Sequence, residues 1–410
     1  MNTKQRNERY LCIEVAFFGV LSGIVGTFLS IYALRLGATS QDIGLLSSLP
    51  ALITLLFLVP AGRLLERYHN ILRPTVVVGF VQRMQFVLVA AIVLLPLTLR
   101  VPALIAVITL GAMAAATGNV AFTVMFGQIV PAADRARVVS VRSLLASLTS
   151  AVAAVLGGQL LELHILPFPW NYSVLFLIGF GFSMIGLWYV ARLSVPPIDR
   201  GEEQQSAASA LSMRQIAAMV RTTRPFMRYT AATFVANWAV CLPIPLYALF
   251  WVNVLDLGES WIGAITTVGS LVPIFVFPLW ARAANRFGNR AMMAIGCVGI
   301  AFFPITTALS PSPEWLLIPA VLGGIFTPPW SLGLYNGLFE VIPAQQQPTY
   351  ISVHTAAMNL AAFTAPLLSA AVLVPLIGIV PALVAGGAAR LIGGIVMYLL
   401  LKRGDATPAA

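Results

Sequence analysis

Charge is what this sequence has least of. Of its 410 residues, 9% are Asp, Glu, Lys or Arg, against about a quarter in soluble domains. With 59% hydrophobic residues and a mean hydropathy of +0.91, the chain has too little polar surface to cover its apolar bulk in water, which excludes a soluble globular fold. Histidine and cysteine are scarce as well. His69, His164 and His354 lie far apart, and so do Cys12, Cys241 and Cys297. Without metal-ligand spacing they offer no metal centre and no redox pair, so the cysteines read as small packing residues. The 14 acids fall mostly in loops, where they cannot supply the paired carboxylates of a membrane-embedded enzyme. A phosphate-binding G-x-x-x-x-G-K-[ST] loop is absent too, which excludes a primary pump. No cofactor is expected, and no catalytic set.

What the sequence does have is long apolar runs. Windows of membrane-spanning length fall at about 11–34, 43–62, 74–97, 102–130, 138–163, 170–192, 228–253, 261–281, 291–310, 315–341, 350–374 and 377–401, each long enough to cross the roughly 30 Å hydrocarbon core as a helix. Twelve helices in a lipid bilayer follow, an all-α membrane protein. Pro50, Pro243, Pro245, Pro273, Pro278, Pro328 and Pro329 lie inside windows, where membrane helices tolerate breaks.

The basic residues give the orientation. Of 24 Lys and Arg, all but Arg35, Arg83, Arg100 and Arg390 cluster on alternate loops together with the two termini. The positive-inside rule places both termini in the cytoplasm, in a multi-pass protein of the inner cell membrane. The net charge of +10 is thereby accounted for by topology, and no nucleic-acid partner is implied. No cleavable signal peptide is read either, because the first apolar stretch is too long and lacks a small-residue cleavage pattern.

The chain also repeats itself. Leu36-Gly37, Ile43-Gly44, Arg63 and Arg67 recur as Leu257-Gly258, Ile262-Gly263, Arg282 and Arg286, and Pro131-Ala132 with Ser140-Val141 recurs as Pro343-Ala344 with Ser352-Val353. Each copy holds six helices, an even number, so the second enters the membrane from the same side as the first. The halves are therefore parallel pseudo-repeats about an axis along the membrane normal, an arrangement of transporters that rock one half against the other. Residues 1–194 form the first bundle, 195–227 a polar cytoplasmic linker and 228–410 the second bundle. Within the linker, Leu211, Ile216, Met219 and Val220 interleave with Arg214, Arg221 and Arg224. That pattern suits a short helix on the anionic inner leaflet or a simple tether.

A charge inside a membrane window costs a few kcal/mol or more, and is usually paired or functional. Glu14 sits about one turn into the first window, Arg83 about ten residues into the third, Arg142 about one turn into the fifth and Arg390 near the middle of the twelfth. Glu14 with Arg83 or Arg142 as partner is the candidate coupling pair. It serves either as a site of proton exchange, since a moving arginine would switch its protonation, or as a permanent ion pair. Arg390, flanked by Gly386-Gly387 and Gly393-Gly394, reads as a residue of close helix packing, paired to a neighbour or to backbone carbonyls.

The segment from Gly62 to Asn70 resembles the signature G-x-L-x-D-R-x-G-R-[RK] between helices 2 and 3 of the major facilitator superfamily. Gly62, Leu64 and Arg67 match, Glu66 replaces the aspartate, and His69 and Asn70 depart from the pattern. The loop between helices 8 and 9 keeps Arg286, Gly288 and Arg290 but has Asn285 where the acid would stand. The resemblance extends over essentially the whole chain in helix count, parallel halves and long central loop. It implies a gate at this loop motif, and it implies that helices 1, 4, 7 and 10 line a central cavity. Near their midpoints lie Ser22, Asn119, Asn237, Trp238, Trp330, Tyr335 and Asn336, with His354 and Asn359 on the adjoining helix 11.

The expectation is a secondary transporter working by alternating access, a monomer in the lipid bilayer. It would move a small amphipathic or hydrophobic solute, by proton-coupled efflux in the working reading. A gradient-driven facilitator or an importer of a polar metabolite is the alternative, and a non-transporting channel or scaffold the reading from another class. The helix-4 arginine and the helix-5 G-P-x-x-G-G element found in many proton-coupled drug exporters are missing, and a multi-anionic substrate would need a denser arginine cluster. Arg142 faces His354 across the repeat and Glu66 faces Asn285, so any coupling is expected in the first half.

Overall fold

The computed structural model describes residues 3–66, 68, 70–195, 222–343 and 347–402, which are helical nearly throughout, with no strand among them. α1 (Thr3–Arg35), α2 (Ser40–Glu66), α3 (Leu72–Ala91), α4 (Leu97–Ile129), α5 (Ala132–Glu162) and α6 (Trp170–Ala191) form the first bundle. The second comprises α7 (Arg224–Cys241), α8 (Ile244–Asn253), α9 (Glu259–Ala308), α10 (Leu317–Val341), α11 (Gln347–Leu368) and α12 (Ile379–Lys402). The linker helix expected around Leu211–Val220 lies outside the described residues.

Among the described residues, eleven helical segments are long and apolar enough to cross a bilayer, and one of them crosses twice. At 50 residues, α9 is about 75 Å long, more than two hydrocarbon thicknesses. Gly288, at φ 79 and ψ 161, bends it between its two crossings. The expected loop over 282–290 is therefore helix up to a single glycine. The run Ala281–Phe287 has no residue that stops a helix, whereas Gly288 takes a backbone region essentially closed to other residues. The seventh window splits into α7 and α8 at Leu242 and Pro243, and α11 ends in a π turn over Ser369–Leu373 just ahead of Pro375, whose missing N–H breaks the regular ladder.

Between helices in lipid there is little hydrophobic driving force, so small residues that let backbones approach do much of the packing. Gly393 of α12 lies against Ala239 of α7 and Gly386 against Pro243, while Gly387 lies against Ile305 and Gly394 against Cys297 and Val298 of α9. One pair of glycines thus docks α12 on the α7–α8 break and the other on α9. Carbonyls orphaned by proline find side-chain donors. Trp280 Nε1 donates to the Ile325 oxygen at 2.8 Å because Pro329 has no N–H to reach it, and Pro304 leaves the Ile300 oxygen free in the same way.

The halves meet along α2 with α11 and along α5 with α9. The repeated glycines explain where. A Cβ on Gly44 would stand 2.7 Å from Ala370, and one on Gly263 would stand 2.4 Å from the Ala154 oxygen. Each half therefore offers one repeated glycine to a helix of the other. These contacts lie at the end of the molecule away from the chain termini. Along α5, Val138, Ala151, Ala154 and Leu161 are buried, whereas Val139, Val141, Leu144, Leu148, Val152 and Leu156 are exposed.

Candidate functional site

Glu14 on α1, Arg83 on α3 and Arg142 on α5 come together about 15 Å along their helices from Thr3, Leu72 and Ala132. The three helices start at the same end of the bundle, so equal register brings the charges to one level. Glu14 is therefore no shallower than Arg83, in contrast to its place about one turn into the first window, because α1 begins well before its apolar run. Arg142 Nη2 donates to Glu14 Oε2 at 3.0 Å, and Arg83 Nη2 stands 3.6 Å from Oε1. Both arginines are partners, where the sequence left one or the other. Arg142 Nη1 also donates to the Leu11 oxygen, and Arg83 donates to the Ser183 and Gly79 oxygens at 3.0 Å. Glu14 and Arg83 are buried, and a carboxylate shared by two guanidiniums recovers by pairing what it loses in hydration. Nearer the termini α1 and α5 carry Lys4 with Asp134 and Glu8 with Arg137, each pair at 2.6 Å.

Arg83 and Arg142 each line a cavity, and a third lies farther along α1, at Gly26. One of about 240 Å³ is lined by Phe18, Ser22, Gly26, Gln82, Arg83 and Phe86, among others. Another of about 290 Å³ reaches Arg142, Phe122 and Ser143. The largest, about 430 Å³, lies against the second half, with Tyr247, Trp251, Phe303, Trp330 and Arg390 in its walls and Gly26 as its contribution from the first half. Gly26 belongs to two of them, so the first and third cavities adjoin across α1. A Cβ there would meet nothing within 4 Å.

Of the residues expected in a central cavity, Ser22 and Trp330 line these spaces. Asn237 Nδ2 instead donates to the Met358 oxygen at 3.3 Å, and Trp238 Nε1 to Thr364 Oγ1 at 3.2 Å; both tie α7 to α11. His354 is buried, its Nδ1 3.4 Å from Thr230 Oγ1. Asn359 Nδ2 donates to Thr355 on its own helix, and the exposed Asn119 accepts Thr123 Oγ1 at its carbonyl. Tyr335 is exposed and packs edge-on against Phe339, and Asn336 reaches Asn289 Oδ1 at 3.5 Å, beside the α9 bend. At the gate motif, Gly62 and the exposed Leu64 sit in the last turns of α2. Arg67 and the side chain of Glu66 lie outside the described residues. Across the repeat, Arg286 stacks on Phe287 with its guanidinium 5.3 Å from the ring centre, Gly288 makes the bend, and Arg290 follows it in α9.

Sequence reasoning missed the junction at the opposite end. Arg35, assigned only to the sparse outer arginines, donates from Nε to Glu259 Oε1 at 3.2 Å, from Nη1 to Asp256 Oδ1 at 3.1 Å and from Nη2 to the Leu257 oxygen at 2.8 Å. Tyr172 donates to the same Glu259 oxygen at 2.9 Å, Ser260 N to Glu162 Oε1 at 2.9 Å, and Thr267 to the Ala151 oxygen at 2.8 Å. All of these bonds cross from one half to the other. The repeat held the one available signal: Leu257-Gly258 is flanked by two acids, and its counterpart Leu36-Gly37 by an arginine.

Twelve spans in two parallel halves, closed against each other at one end and enclosing cavities between their helices, define a transporter architecture of the multi-pass membrane class. The chain belongs to the Major Facilitator Superfamily, whose model matches residues 11–261 and 229–410. Its fold is similar to that of solved transporters at low sequence identity. A point mutant of the nucleoside transporter NupG superposes with a TM-score of 0.76 at 12% identity, covering 97% of this chain and 100% of that one. A POT family transporter bound to a thioalcohol-conjugated peptide gives 0.76 at 11%, covering 99% and 100%. A D-xylose–proton symporter gives 0.73 at 13%, covering 97% of each chain. No curated protein sequence matches this chain.

Proposed function

We propose that the protein carries a small amphipathic solute across the inner cell membrane by alternating access, as a monomer with both termini in the cytoplasm, and that Glu14 couples the cycle to protons. The observation that carries the reading is the shared wall at Gly26. A cavity of the first half and a cavity of the second adjoin there, beneath an inter-half junction closed at the far end. Rocking the halves would open that junction and expose the same space to the other side. Export, with loading from the cytoplasmic side, is the direction of this reading. Residues 1–194 and 228–410 act as the two moving bodies and 195–227 as their tether.

In the coupling step, Glu14 exchanges its two arginines for a proton. Arg83 lines the first cavity and Arg142 the second, so a solute entering either displaces a guanidinium from the carboxylate. A second reading rests on one observation: Glu14, Arg83 and Arg142 all belong to the same half, where the Lys4–Asp134 and Glu8–Arg137 pairs continue the clasp between α1 and α5. On that reading Glu14 is a permanent tie and the solute gradient alone drives transport. Proteoliposomes under an imposed pH gradient separate the two. Coupling predicts that Glu14→Gln abolishes gradient-driven accumulation while counterflow exchange of the solute persists. Accumulation undiminished in Glu14→Gln would leave the uncoupled reading standing.

A further inference from the structure

Arg390 is the charged residue that the transport cycle above does not use. It is 4% exposed and sits in α12 between the glycine pairs that press this helix onto α7 and α9. Its Nη1 donates to the Ile300 oxygen at 2.9 Å and its Nη2 to the Val240 oxygen at 2.6 Å. The first of these is the carbonyl that Pro304 orphans. Two of five N–H donors are spent on carbonyls, and no carboxylate stands within ion-pair distance of the guanidinium among the described residues. Its Nε has no hydrogen-bond partner. A buried cation whose only partners are neutral is left with an uncompensated charge, a costly arrangement.

Two more orphans share its cavity. The Tyr247 hydroxyl, which lies near the Arg390 guanidinium, and Trp251 Nε1 are buried, and neither donor has an acceptor. Both residues line the 430 Å³ space together with Arg390. They stand four apart on α8, on one face, and the Arg390 guanidinium lies 6.0 Å from the Tyr247 ring centre. Buried polar groups are normally satisfied, and three donors without acceptors in the walls of one cavity call for an acceptor that a turn of these side chains would reach. The wider charge pattern agrees. Arg83, Arg142 and Arg390 line the three cavities, none of the lining residues is acidic, and Glu14 alone offsets the three. The remaining walls are mainly aromatic and aliphatic, with the hydroxyls of Thr266, Ser270 and Thr327 among them and Phe303 4.5 Å from Tyr247 between ring centres.

We infer that this cavity binds the carboxylate of an amphipathic monoanion, with Arg390 supplying the charge, Tyr247 and Trp251 the flanking donors, and the apolar walls the seat for the rest of the molecule. One guanidinium without a second basic partner suits a single negative charge, and a space of this size suits a small solute. The inference specifies the solute class of the transport reading and rests on it for its meaning, while the binding itself is measurable without transport.

The test is binding to the purified full-length protein of benzoate, phenylacetate, naphthoate and octanoate, each against its primary amide, read by calorimetry and by thermal stabilisation. A carboxylate of the series should bind saturably and its amide should not. Tyr247→Phe removes one donor and keeps the ring, Trp251→Phe removes one and keeps an aromatic ring of smaller size, and each should weaken carboxylate binding by about fivefold to tenfold. Arg390→Lys should retain weakened binding and Arg390→Gln should lose it. Because Arg390 also staples α7 to α9, the two α8 variants carry the test if Arg390→Gln fails to fold. Equal binding of acid and amide, affinity unchanged in both α8 variants, or no binding by any carboxylate overturns the inference. Counterflow of a bound carboxylate in proteoliposomes then addresses transport separately: binding without counterflow would show that the carboxylate is not the solute carried and leave the site intact.

Discussion

Gly26 shows how much a single side chain decides at this site. It lies within α1, where a glycine costs the helix up to about 1 kcal/mol relative to alanine, and it packs against nothing. Its neighbours Gly19 and Gly23 differ: a Cβ on either would collide with α5 at Thr149 or Ser150. Those two glycines serve helix packing, whereas Gly26 keeps the space between halves open. Gly26→Leu is expected to leave thermal stability unchanged or raised by up to about 1 kcal/mol, and to abolish solute flux by filling the shared wall. A loss of stability together with flux would mean that Gly26 packs against the other half after all. Buried charges were legible from the sequence to different depths. Glu14 and its arginines announced themselves, because an ionisable residue in an apolar window demands a partner. The part of Arg390 that touches the cavity did not, because its meaning depends on Tyr247 and Trp251, which are far away in sequence and ordinary in a membrane helix.

At the scale of elements, α9 carries the strongest local constraint. Its two crossings are one helix but for Gly288, whose φ of 79 and ψ of 161 cost about 1–3 kcal/mol for a residue with a side chain. Gly288→Ala is expected to destabilise the protein by that amount in thermal or denaturant unfolding, with Gly269→Ala in the same helix as the control, since its surroundings are open apart from an oxygen at 3.9 Å. Equal effects of the two would show that the bend is not what Gly288 supplies. Helix number and most helix positions could be read from apolar runs alone, because the bilayer sets a length that sequence must match. Helix ends could not. α1 and α9 run on through polar residues such as Thr3–Glu8 and Arg282–Arg286, since a helix leaving the membrane needs no apolar face to continue. The break between α7 and α8 was marked by Pro243 and Pro245, yet a proline inside a window does not say whether the helix bends or stops; α2, α4 and α10 run straight through theirs.

For the whole molecule, the question is what holds the halves in the observed state. The repeated pairs Gly44 and Gly263 permit the close approach, but glycines only remove an obstacle, and the directional bonds belong to Arg35, Tyr172 and Glu162. Arg35 is the centre of this junction: its three donors span Asp256, Leu257 and Glu259, and Glu259 also receives Tyr172. The contributions differ. Asp256 is 86% exposed and adds little, while Glu259 is 18% exposed and the Leu257 carbonyl is anchored in the chain leading to α9. Losing the latter two bonds is expected to destabilise the closed junction by about 1–2 kcal/mol, which changes the ratio of closed to open molecules by about 5–30-fold. Arg35→Gln should therefore populate the state opened at this end without lowering the stability of either bundle. Spin labels at Ile165 and Leu309, both exposed at this end of opposite halves, report it as a longer distance component growing in the variant. A pair at Val139 and Phe287, exposed toward the other end, should shorten in the same fraction of molecules if the halves rock as rigid bodies. Lengthening at the first pair with no change at the second would mean that the junction frays locally and that the halves do not alternate about the cavity.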